Sequence, residues 1–198
     1  MGDAKSGNGI DGILIPGGFG HRGIKGMIKA SEWARTNKIP YFGIGLGMHV
    51  MVIDWGRKVL GWEDADSTEF DAGTKHPVIN LLEEQLDVKN YEGTMRLGEY
   101  KSTAQAGTKI MAAYGDPNIS ERHRHRYEFS NQYRDEMAKS GLIIAALLSD
   151  GSLVEAVEWP DHPWGVGVQF HPEFKSKPTA ASPLFRDFIA ASRDRKKA

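Results

Sequence analysis

Apolar residues in this chain gather in short runs separated by stretches of helical spacing. Ile13–Ile15 is an apolar run ending in Pro16-Gly17-Gly18, which predicts a buried strand leading into a tight turn. Arg22 to Asn37 carries Ile24, Met27, Ile28 and Ala34 on one side at helical spacing, which predicts a helix. Ile39–Ile44 is a second apolar run, and helical spacing resumes from about Leu46 to Val59. Strand, helix, strand and helix with short connections predict parallel strands joined by right-handed crossovers. The polar stretch from Asp64 to His76 predicts a surface loop. Further strands are predicted near Met95–Tyr100, Lys109–Tyr114, Ile143–Leu148, Leu153–Glu158 and Gly165–Phe170, with a short helix from Tyr133 to Ser140 before Gly141. Ser182-Pro183 is a cap followed by a first-turn proline and opens a last helix, in which Leu184, Phe185, Phe188 and Ile189 are expected to pack down. Arg195, Lys196 and Lys197 suit the C-terminal end of its dipole. The expected architecture is an α/β sandwich.

Composition narrows the functional classes. The 198 residues, 40% hydrophobic and 26% charged, suit one soluble domain with a full core. A formal charge of −1 and a pI near 6.7 give no general attraction to nucleic acid or to an anionic membrane, so neither is an expected partner. No apolar run approaches the roughly 20 residues that span a bilayer. The opening MGDAKSGNG lacks the apolar core of a leader, so residues 1–11 are expected to be a flexible start and the protein cytoplasmic. Cysteine is absent, which excludes disulfides, thiolate metal sites and a cysteine nucleophile.

Four motifs are candidates for chemistry. Gly18-Phe19-Gly20-His21-Arg22-Gly23 fits the spacing of a dinucleotide-binding turn, but the next strand ends in Phe42-Gly43-Ile44-Gly45 without the acidic residue that would hold a ribose. Its glycines suit a turn whose backbone N–H groups approach a developing oxyanion. Gly43-Ile44-Gly45-Leu46-Gly47 has the frame of a nucleophile elbow with glycine at its centre; an ordinary glycine-rich strand end reads the same way. In His171-Pro172-Glu173, residues two apart on extended chain project to one side, so Glu173 can orient the His171 ring, in a structural pair or as half of a triad. Glu121 to Glu128 interleaves His123 and His125 with Arg122, Arg124 and Arg126. The two histidines could bind a metal, but three cations repel one; a nucleic-acid patch would lack a basic stripe elsewhere in the chain, and the other readings are a solvated basic segment or an arginine placed to grip a carboxylate.

Together these segments resemble the glutaminase domain of CTP synthases, a group of class I glutamine amidotransferases. The resemblance is carried by Pro16 to Gly20, Gly43 to Met48, Ser67-Thr68-Glu69-Phe70-Asp71, Gly93-Thr94-Met95-Arg96-Leu97-Gly98, Glu121 to Glu128, and Gly167 to Phe174, in the family's order. It implies a central mostly parallel sheet flanked by helices, and hydrolysis of L-glutamine by a cysteine thiolate. The ammonia passes to a synthetase domain that aminates UTP to CTP and that carries the ATP and magnesium; no cofactor is expected here. By position, His171 is the acid/base and Glu173 its orienter. Gly18 and Leu46 supply oxyanion-hole N–H groups, while Gly17, Glu69 and Arg126 line the glutamine site, with Arg126 on the α-carboxylate and Glu69 near the ammonium.

Three departures from the family pattern stand out. The nucleophile position is Gly45, and the substrate-contacting glutamine four residues later is His49. The family's elements before Gly12 and its synthetase domain are not in this chain. The expectation is a domain of this type whose chemistry is silenced, or a pseudoenzyme that binds glutamine or a partner, with the synthetase as a possible separate domain or chain.

Overall fold

A computed structural model describes residues 9–81 and 95–195, so Gly93, Thr94, Lys196 and Lys197 lie outside the described residues. The first strand, β1 (Ile13–Ile15), is followed by helix α1 (Ile24–Thr36), strand β2 (Tyr41–Ile44) and helix α2 (Leu46–Lys58). Next come β3 (Asp66–Ser67), β4 (Pro77–Leu81), β5 (Arg96–Ala104), helix α3 (Lys109–Tyr114), β6 (Asn118–His125) and β7 (Tyr127–Phe129). Helix α4 (Arg134–Lys139), strands β8 (Ile143–Leu148), β9 (Val154–Glu158) and β10 (Gly165–Val168), and helix α5 (Pro183–Arg195) complete the order.

The strands form a seven-stranded sheet in the order β1-β2-β10-β9-β8-β5-β6 and a small sheet β3-β4-β7. The α/β reading holds, but the large sheet is mixed rather than mostly parallel. Among the described residues of that sheet, β1 with β2 and β2 with β10 run parallel and the other four pairings are antiparallel. The crossover argument applies to the first two strands, which helices connect; β8 and β9 are joined by a turn short enough only for antiparallel neighbours.

Strand β2 is buried along its whole length because it lies between β1 and β10 with a core on each face. Tyr41 belongs to the core under α1 and α2, whereas Phe42 and Ile44 belong to the core under α3 and α5. That double burial is why β2 reads as a continuous apolar run. Helix α2 is buried from Leu46 through Gly56. It sits close on the sheet because β10 presents Gly167 beneath it: a Cβ there would lie 2.9 Å from Met51 Sδ and 3.2 Å from Met48 Cα.

Several sequence expectations change in three dimensions. Lys109–Tyr114 is a helix, not a strand. Thr108 caps it by accepting from the Met111 N–H at 3.1 Å, Glu158 accepts from the Lys109 and Ile110 N–H groups, and Gly115 ends it in left-handed geometry. Glu121 to His125 is not a solvated surface run but part of β6, with Ile119, Glu121, His123 and His125 buried and Arg122 and Arg124 exposed. Its period of two was the available signal. The Asp64–His76 stretch contributes β3 to the small sheet. On α5, Leu184 and Phe188 are buried, but Ile189 is 61% exposed.

Candidate active site

The parallel arrangement of β1, β2 and β10 brings their C-terminal ends to one edge of the sheet. The β1 turn, the elbow between β2 and α2, and the segment after β10 therefore meet there, joined by the corner between β6 and β7.

At the elbow, Gly45 adopts φ 51° and ψ −104°, in the region that favours glycine. Its N–H donates to the Val168 carbonyl at 2.7 Å, and its own carbonyl accepts from the Met48 and His49 N–H groups, which starts α2. The flanking glycines are set by close approach. A Cβ on Gly43 would lie 2.4 Å from the Gly47 carbonyl, and a Cβ on Gly47 would lie 2.2 Å from the Ile15 carbonyl oxygen. Backbone blocks both, so Gly47→Ala is expected to lower stability by at least about 1–3 kcal/mol, read as a shift in urea midpoint. An unchanged midpoint would show that the elbow is looser than this packing implies.

His171 forms the facing wall. Its Nδ1 lies 2.6 Å from Glu173 Oε1, and its ring stacks on Phe174 with centroids 5.0 Å apart. The backbone N–H of His171 donates to the Arg122 carbonyl at 2.8 Å, which ties the segment after β10 to β6. On the other side Gly17 makes room: a Cβ there would sit 2.6 Å from His171 Cε1. With Nδ1 engaged by Glu173, Nε2 faces residue 45, where a Cβ would lie 3.6 Å from it.

His49, one turn into α2, is buried with Nε2 3.0 Å from Gln169 Oε1. Burial pushes its imidazole down to about 4, against the opposing pull of hydrogen bonds to Gln169 and the Tyr127 backbone, so the ring is neutral at pH 7. Glu69 holds the glycine turn through its Oε1, which accepts from the Gly20 N–H at 2.8 Å. Burial raises its carboxyl above the usual range, while the Gly20 bond and the Arg126 charge act the other way. Arg126 is the single residue between β6 and β7.

The sequence-derived candidates Gly17, Gly18, Gly45, Leu46, His49, Glu69, Arg126, His171 and Glu173 all line one cavity of about 330 Å³. Pro16, Phe19, Arg124, His125, Tyr127 and Phe174 line it too and were not singled out as site residues from sequence. Phe19 and Phe174 are more than half exposed at its rim, where the Arg124 guanidinium lies 5.2 Å from the Phe19 ring centre. Among these, only the alternation of arginine and histidine in β6 hinted from sequence that His125 points inward. The cavity combines a carboxylate-oriented imidazole, a helix N-terminus whose first N–H groups have no intrahelical acceptor, and charges of both signs at Glu69 and Arg126. Such a set suits a small zwitterion with a polarisable carbonyl. Among the described residues no group of three or more histidine, aspartate or glutamate side chains is arranged to hold a metal ion, and no helix is long and apolar enough to cross a membrane.

The fold is that of a class I glutamine amidotransferase. The model of that family, "Glutamine amidotransferase class-I", matches residues 3–191, and the chain belongs to the family. Within it the match is to the glutaminase part of CTP synthases. The chain is 57% identical over 185 residues to the CTP synthase of Geotalea uraniireducens and 56% identical over 187 residues to that of Geobacter sulfurreducens. These alignments cover 93% and 94% of this chain but only 35% of each relative. Among solved structures, the glutaminase domain of Trypanosoma brucei CTPS with bound acivicin superposes with a TM-score of 0.87 at 40% identity, covering 93% of this chain and 71% of that one.

Proposed function

We propose that this chain is a glutaminase domain of the CTP-synthase type that holds L-glutamine but does not hydrolyse it. The observation that carries the reading is the elbow. Its frame, its approach to His171 and the His171–Glu173 pair are intact, yet residue 45, at the point facing Nε2, is glycine. Without a side chain there no covalent acyl-enzyme forms. His171 and the oxyanion-hole N–H groups of Gly18 and Leu46 can only assist water, and loss of a triad nucleophile costs on the order of 10⁶ in turnover.

The binding half rests on charge placement. In this reading Arg126 takes the α-carboxylate and Glu69 the ammonium, while Gly17 and His49 border the side-chain amide; the support is that all four line one cavity. The relatives are nearly three times the length of the matched region, which supports a synthetase domain or chain as the partner that would use ammonia to convert UTP to CTP. The alternative role, a pseudoenzyme that acts as a glutamine-binding or partner-binding module, uses the same pocket.

The test is calorimetric titration with L-glutamine alongside an ammonia-release assay. The expected result is saturable binding with no turnover above background, and weakening by about 10–100-fold in Arg126→Ala, the loss of one charge-assisted contact. Absence of binding would sink the reading, and turnover by the unaltered chain would sink the silencing.

A further inference from the structure

Beneath the cavity lies a closed ring of buried ionisable side chains to which the reading above assigns no role. Arg96 Nη1 is 2.8 Å from Glu155 Oε1 and 3.3 Å from Glu128 Oε2. Glu155 Oε2 is 3.1 Å from His123 Nε2, and His123 Nδ1 is 2.9 Å from His125 Nε2. His125 Nδ1 closes the ring at 3.3 Å from Glu128 Oε1. All five residues are at most 7% exposed.

The ring spans both sheets. Arg96 opens β5 and pairs in register with His125, the last residue of β6; Glu155 belongs to β9. These strands are in the large sheet, whereas Glu128 is on β7 in the small one. The chain passes from one sheet to the other through a single bend residue, Arg126. The residues on either side of that bend are tied to each other: His125, immediately before it, contacts Glu128, two positions after it. The direction in which Arg126 leaves the backbone follows the angle between β6 and β7, and across that angle Arg96 Nη1, from the large sheet, donates to both Glu128 oxygens at 3.3 Å while the His125 ring packs against the same carboxyl.

We infer that the ring of Arg96, Glu155, His123, His125 and Glu128 is a positioning device for Arg126, and that it sets selectivity for the α-carboxylate of the ligand. The inference rests on the glutamine-binding reading and extends it. Stability alone does not require such a ring, since buried ion pairs replaced by apolar residues of similar volume are often neutral or stabilising. What an apolar core lacks is a directional link between the two sheets, supplied here by Arg96 donating to Glu128, and a charge-assisted grip on a carboxylate depends on the orientation of the guanidinium.

The test compares two ligands, L-glutamine and 4-aminobutanamide, which is glutamine without its α-carboxylate. Both are titrated by NMR into the 198-residue chain and into Glu128→Gln and His125→Gln. The unaltered chain is expected to prefer glutamine by about tenfold or more, and both variants are expected to lose that preference while binding 4-aminobutanamide within about threefold of the original affinity. His125→Gln exchanges one neutral group for another, because burial holds the His125 imidazole well below its ordinary pKa. It therefore decides the question if Glu128→Gln does not fold. Variants that fold and keep the preference overturn the positioning role while leaving the binding reading intact. Equal loss of both ligands also overturns it, since the ring would then serve the fold alone. If the unaltered chain shows no preference, the placement of Arg126 on the carboxylate is itself wrong, and the inference falls with it.

Discussion

Gly45→Cys combined with His49→Gln is expected to raise ammonia release from glutamine by up to about 10⁶-fold over the unaltered chain. The geometry is already in place for it. A Cβ at residue 45 meets no atom nearer than 3.6 Å, and the nearest is His171 Nε2, so a thiol one bond further out is within reach of the base. The start of α2 and the neighbouring imidazole both favour the thiolate. The exchange at residue 49 replaces a buried neutral ring by an amide, the group present there in the family pattern. The same change has a stability cost of about 1–3 kcal/mol, because a residue with a Cβ must hold the positive φ that glycine adopts freely. A double variant that melts slightly earlier but turns over glutamine is the expected pair of results. A folded double variant as inactive as the parent would mean that glycine at residue 45 is not what prevents hydrolysis.

Arg96→Leu is expected to be the most damaging substitution outside the cavity, costing about 3–5 kcal/mol, because it leaves two buried carboxylates facing each other without a cation. The loss should depend on pH. Burial raises the Glu128 carboxyl from 4.5 to about 8, with Arg96 pulling it down and Glu155 pushing it up. For a carboxyl raised on folding, the stability it contributes is full below its unfolded pKa of 4.5 and is lost as pH rises through about 8. Removing Arg96 removes the one influence that favours the charged form, so the variant's deficit should grow between pH 6 and pH 8.5. His49 has the opposite sign. Its pKa falls from 6.5 to about 4, so its contribution is present above 6.5 and lost as pH falls through about 4. Urea unfolding of both proteins at pH 6 and pH 8.5 checks this, and an equal deficit at the two values would remove the carboxylates as its cause.

The elements that sequence reading located best are those whose periodicity is set by burial on one or both faces. α1, β2 and α2 came within a residue or two of their observed bounds, and α5 opens at the expected Pro183, since each carries its own apolar signal. Lys109–Tyr114 failed because a short run of Ile, Met and Ala fits either period. The cap at Thr108 and the Glu158 carboxylate that receives the first N–H groups decided for the helix, and Glu158 is distant in sequence. Within the cavity, the glycine-framed turns announced themselves by local spacing, and the His171–Glu173 pair forms as expected but through a 3-10 turn over Pro172–Phe174 rather than on extended chain. The rim aromatics Phe19 and Phe174 did not, because a single exposed aromatic has no pattern of its own.

By itself the sequence determined the family, the absence of any thiol, and the identity of the residues that could do chemistry, because each of these is a property of residue type at fixed spacing. Only the tertiary structure decided that nine residues from five segments share one cavity, that residue 45 faces His171 Nε2, and that His123 and His125 turn inward to join Arg96, Glu128 and Glu155. The mixed sheet belongs to the same category. Strand direction follows from how connections close and which edges remain to be paired, and those constraints act between segments that lie far apart along the chain.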